Sequence, residues 1–197
     1  MEQNSQAENK QIAILEAQIR ECYGRVVYSH KTQEKCADIV FRLHKRLKLW
    51  QIIISGIVTT SLLIRVFGDN EWALYLSALL STVLFALNAY TKDYDLGEIA
   101  QKHTNAANEL WDIRETYLSL LSDIRAHTVS IGQITNKRDD LQNRLLNVYS
   151  GSPRTNSKAY TEASKALQKN EELTFSDREI DAFLPKELRK TDLSANI

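Results

Sequence analysis

LWQIIISGIVTTSLLIRVFGDNEWALYLSALLSTVLFALNAY, residues 49–90, decides how this chain is read. It holds two apolar runs, Leu49 to Phe67 and Trp72 to Tyr90, separated only by Gly68, Asp69, Asn70 and Glu71. Each run is about 19 residues long, and at ~1.5 Å of rise per residue it covers roughly 28 Å, close to the ~30 Å hydrocarbon core of a bilayer. The pattern predicts a transmembrane helical hairpin. The alternative is a buried hairpin in a large soluble bundle, because core helices can also be apolar on every side. Charge argues against it: the first run holds only Arg65, near its end where the side chain reaches the headgroups, and the second holds none. Trp50, Phe67, Trp72, Tyr75, Tyr90 and Tyr94 gather near the ends of the runs, where amphipathic rings favour the interface.

Flanking charge orients the hairpin. Arg42, Lys45, Arg46 and Lys48 precede the first run and Lys92 follows the second, while the connector carries Asp69 and Glu71 and no cation. Cations are retained on the cytoplasmic side, so both termini are expected to be cytoplasmic, with almost nothing exposed outside. Met1 to Lys10 lacks the charged and apolar regions of a cleaved signal peptide, so insertion is expected to depend on the spans.

The full chain has 197 residues, with 25 Lys and Arg against 25 Asp and Glu. That balance favours neither direct nucleic-acid binding nor an acidic substrate. Cys22 and Cys36 fit no CxxC or zinc spacing, and His30, His44, His103 and His127 are scattered without a ligand motif. With no phosphate loop, nucleophile elbow or acid and base pair, the chain reads as a non-enzyme with no cofactor and no metal.

Six glycines and two prolines leave few breakers, which predicts an all-α fold: a transmembrane hairpin with long cytoplasmic helices forming a bundle, assembled into oligomers. Four segments follow: cytoplasmic helices over 1–48, with a break near Gly24 and Ser29–Glu34; the hairpin over 49–90; a long amphipathic helix, or two in line, over 91–149; and a turn, short helices and a mobile tail over 150–197. Leu110, Ile113, Tyr117, Leu120, Ile124 and Ile131 lie on the apolar stripe of the third segment. That stripe must be covered, by the amino-terminal helix of the same chain or by neighbouring copies, which makes these residues candidates for oligomerisation. Ser176 and Glu179 form an S-x-x-E capping box for a short helix ending before Pro185, with Phe175, Ile180, Phe183 and Leu184 as its apolar contacts. Asp177, Glu179, Ile180, Phe183 and Leu184 are candidates for docking a partner.

Within the spans, Gln51, Ser55 and Thr59 recur at i, i+4, and Ser77 and Ser81 share a face that extends toward Asn88. Two readings stand open. Hydroxylated residues let membrane helices pack and hydrogen-bond, or several hairpins assemble so that the stripes line a hydrated path. One hairpin has too few helices to enclose a conduit.

The order of a cytoplasmic helix, two adjacent spans and a long helix containing Tyr117, Leu118, Leu120 and Leu121 resembles the SLATT family of bacterial two-transmembrane effectors. The stretches RECYGRVVYSHKTQEKCAD (20–38), KRDDLQNRLLNVYSGSPRTNSKAY (137–160) and TFSDREIDAFLP (174–185) look most like the branch encoded beside reverse transcriptases. The resemblance implies a defence effector in the bacterial inner membrane that permeabilises or depolarises it when phage infection is sensed. It also implies a trigger from a nucleotide second messenger or from a linked reverse transcriptase or nucleotidyltransferase. A membrane anchor or scaffold for a partner enzyme is the second reading.

Overall fold

The computed structural model describes residues 2–68, 71–185 and 189. Its described residues form six helices and no strand: α1 (Glu2–Phe67), α2 (Glu71–Asp93), α3 (Leu96–Arg125), α4 (Ile131–Gly151), α5 (Ser157–Gln168) and α6 (Asp177–Phe183). The apolar windows in the two long apolar stretches are only 6% and 11% buried, so they are not a core covered by the chain's own helices. Part of the predicted tail, from 190 onward, lies outside the described residues, as does part of the connector at 69 and 70.

α1 is a single rod of 66 residues, roughly 99 Å long, against which α2, α3, α4 and α5 all pack. The expected break at Gly24 and Ser29–Glu34 is absent. That stretch is polar because three elements dock on it, not because it turns. His30, Lys31, Thr32 and Gln33 are all buried. Gln33 holds His103 of α3 through Oε1 and Nδ1, 2.5 Å apart, and its Nε2 donates to the carbonyl of Pro153 at 3.5 Å. Lys31 pairs with Glu34 and with Glu172, each at 2.8 Å, and Lys35 reaches Glu172 at 3.3 Å.

The region expected as one long helix, or two in line, is instead a reversal. α3 ends with the amides of Ala126, His127 and Thr128 bonded back to Ser122, Ile124 and Asp123, and His127 adopts a φ of 54°. Ser130 then caps α4 in a reciprocal box with Gln133. Arg144 pairs with Asp112 of α3, while Arg138 and Tyr149 reach Gln18 and Ser29 of α1. α4 therefore runs antiparallel to α3 and parallel to α1. A three-and-four pattern reports that helices are amphipathic but not which way the second one runs.

This reversal closes the core inside one chain. Leu15, Ile19 and Val26 of α1 meet Leu110, Ile113, Tyr117, Leu120 and Ile124 of α3 and Ile134, Leu141 and Val148 of α4. The stripe proposed for oligomerisation is thus covered by α1 and α4: Leu110, Ile113, Tyr117, Leu120 and Ile124 are buried, and Ile131 packs half-buried beside them. α5 joins through Ala159, Ala163 and Ala166, small residues that bring its backbone close to α1.

The hairpin meets this bundle at a short junction. Asp95 caps α3, accepting from the Glu98 amide at 3.0 Å, and that backbone bond, with His44 and Lys48 nearby, holds its carboxyl below the usual range. A methyl on Gly97 would lie 3.1 Å from the Asp95 carboxylate and 3.4 Å from the His44 ring, so a larger residue here would have to push the Asp95 cap aside by a few tenths of an ångström.

Candidate functional site

In the first span the least exposed residues are Gln51, Ile54, Val58, Ser61 and Arg65, alternating three and four apart. In the second they are Ala73, Leu76, Ser77, Leu80, Leu84, Leu87 and Thr91. These two columns face each other, as in the seam of an antiparallel coiled coil. Gln51 crosses the contact at its inner end, donating to Thr91 Oγ1 at 3.0 Å and the Leu87 carbonyl at 3.5 Å. Ser77 is buried in the contact and donates to the Leu74 carbonyl.

The predicted polar stripes therefore divide. Gln51 and Ser77 pack within the hairpin, whereas Ser55, Thr59, Ser81 and Asn88 are exposed beside the contact. At ~100° of rotation per residue, Ser55 and Thr59 turn about 80° and 120° away from the mean contact direction of α1. Ser81 and Asn88 turn away from that of α2 in the same sense by about 80° and 60°. In an antiparallel pair, equal rotations land on the same side, so all four residues share one lateral side of the hairpin.

The opposite side is of different chemistry. It carries Trp50, Ile57 and Ile64 of α1 with Val83 and Tyr90 of α2. Tyr90 stacks on Tyr94 with ring centroids 5.2 Å apart. One side is apolar and aromatic and suited to lipid; the other carries the four polar residues between mid-span and the end nearest the bundle, with Phe85, turned about 130° from the contact direction, exposed beside them. The polar side turns apolar toward the outer end, at Leu62 and Leu74, both exposed. Sequence spacing alone missed Ser61, Leu62 and Leu74, because their roles depend on which column faces the partner helix.

A family model described as SMODS and SLOG-associating 2TM effector domain family 4 matches residues 15–179. The chain belongs to this family. The match takes in both hairpin helices and the bundle, and it ends inside α6. The family is described as two-transmembrane, and α1 and α2 are the helices of this chain that are long and apolar enough to cross a bilayer. No curated protein and no solved structure matches it.

The family match also covers the elements that could control the hairpin. Lys31 is mostly buried, which opposes its charge, but its bonds to Glu172 and Glu34 outweigh burial and raise its pKa. Those bonds in turn hold the Glu172 carboxyl down at about 2, so this residue clasps the α5–α6 linker to α1. Beyond the clasp, α6 carries the predicted capping box, with Ser176 Oγ and Glu179 Oε2 2.7 Å apart. Its apolar residues are largely uncovered by the described residues: Phe175, Ile180 and Phe183 are exposed, Phe183 at 83%, and Leu184 is the half-buried C-cap. Asp177 and Glu179 lie in its first turn, and Asp181 is buried.

Proposed function

We propose that this chain is a membrane-embedded effector of bacterial antiphage defence that acts by abortive infection. Several copies assemble in the inner membrane and open a conducting path when triggered. The observation that carries the reading is the two-sided hairpin, with lipid-compatible residues on one side and Ser55, Thr59, Ser81 and Asn88 on the other. Hairpins gathered with polar sides inward would wet the inner half of such a path. Leu62 and Leu74 would keep its outer half dry until assembly widens it. The cations of residues 42–48 and Lys92 support a topology with both termini cytoplasmic.

Since Leu110, Ile113, Tyr117, Leu120 and Ile124 are occupied inside the protomer, assembly is assigned to the hairpin. Control falls to the exposed α6, whose Ile180 and Phe183 offer a docking face. The trigger is a linked reverse transcriptase, a linked nucleotidyltransferase or the nucleotide that such an enzyme makes.

Induced expression with a membrane-potential dye tests this reading. Depolarisation and growth arrest are expected, and replacing both Ser55 and Thr59 by Leu should abolish them while the protein still inserts. Arrest without depolarisation would sink it. The exposed face of α6 also favours a scaffold that merely holds a partner at the bilayer. Swapping both spans for unrelated apolar helices separates the two, because a scaffold keeps its activity and a conducting hairpin loses it.

A further inference from the structure

The inner end of the polar side ends in charge. Lys48 stands seven residues before Ser55 and Lys92 four after Asn88, so both fall on the same lateral side as the hydroxyls and the amide, and both are exposed. Lys48 and Lys92 served the sequence only as topology signals. The contact columns make them something more specific: the mouth of the polar side.

Resting on the conducting reading above, we infer that the path is selective for small anions, with Lys48 and Lys92 of each copy forming a cationic ring at its cytoplasmic mouth. Rings of Lys or Arg select anions because the fixed positive field raises the local anion concentration and repels cations.

The other charges nearby decide the sign. Between residues 41 and 50 there are four basic residues and no acid. Asp95, the cap of α3, is near Lys48 and stays ionised because the Glu98 amide holds its carboxyl below the usual range, so it offsets part of the Lys48 charge and Lys92 carries the larger share of the ring. Asp93 follows Lys92 and is rotated a further ~100°, away from the polar side. At the other end Arg65 lies in the contact column and Glu71, about 170° from the contact direction of α2, points away from the polar side, so the lysines nearest the bundle set selectivity. Arg42, Lys45 and Arg46 point away from α2 and α3, on the side that continues into Leu49 and Ile53. They serve as controls.

The full chain reconstituted in planar bilayers at high protein density, under a tenfold potassium chloride gradient, tests the inference. The reversal potential should lie on the chloride side of zero. K48E with K92E should move it to the potassium side, while K45Q with R46Q should leave it unchanged. Potassium-selective or unselective wild-type current, or a reversal potential that ignores K48E and K92E, overturns the anion assignment while the conducting reading stands. No current at any density overturns the conducting reading and this inference with it.

Discussion

A methyl group added at Gly24 would meet nothing within 4 Å, although the residue sits inside the continuous helix α1. Glycine there adds backbone freedom to the unfolded chain and gives nothing in packing. Gly24→Ala is therefore expected to stabilise the bundle by about 1 kcal/mol, read from chemical denaturation in detergent. A loss of stability would mean that the rod bends at this point. Single residues with local jobs were readable from the sequence. Ser176 and Glu179 form the capping box that their spacing predicts, because a cap needs only its own four residues. His30 to Gln33 look like a break in the sequence because their polarity serves partners far along the chain, Pro153 for Gln33 and Glu172 for Lys31.

At the scale of elements, five residues decide the direction of α4. Ala126 to Ser130 unwind α3, reverse the chain through His127 and restart it at the Ser130 cap. Ser130→Ala removes the bond to the Gln133 amide and should cost about 1 kcal/mol. The loss should appear as faster amide exchange over the first turn of α4, with α1 and α3 still protected. Exchange that spreads evenly over the bundle would instead make the cap part of a global unit. The amphipathic pattern of 131–148 was visible in the sequence, but an in-line and a reversed helix bury the same stripe. Only the partner surfaces of α1 and α3 distinguish them. The hairpin shows the same division: its two spans follow from length and polarity, while its lateral sides follow from the column that packs.

The molecule as a whole is held together along α1, and the seam with α3 contains two buried histidines. Burial lowers the pKa of His30, which is faced by Glu34, Arg114, Lys31 and Glu115, and burial also lowers that of His103 against Gln33. Both folded values lie below the unfolded value of about 6.5, so the unfolded chain takes up more protons as pH falls. Stability should be fully present above about pH 6.5, decline as pH drops toward the folded values, and level off beneath them. Glu172, held at about 2, loses its contribution only between the normal carboxylate range and that value, well below the histidine window. Thermal melts in detergent from about pH 8 to 5 should show the first decline, and His30→Gln with His103→Gln should flatten it. An unchanged slope in the double variant would move the titration elsewhere.

The sequence by itself determined two apolar stretches long enough to span a bilayer, an all-helical chain, the capping box of its last helix and membership of a two-transmembrane effector family. Those properties depend on apolar length, hydrophobic period and neighbours within a turn or two. Only the tertiary structure decided that α1 is unbroken, that α4 folds back to seal the core within one chain, and that the hairpin has one polar and one apolar side. Each of these depends on which surfaces distant segments choose to bury together. Periodicity shows that a face must be covered; packing alone shows what covers it.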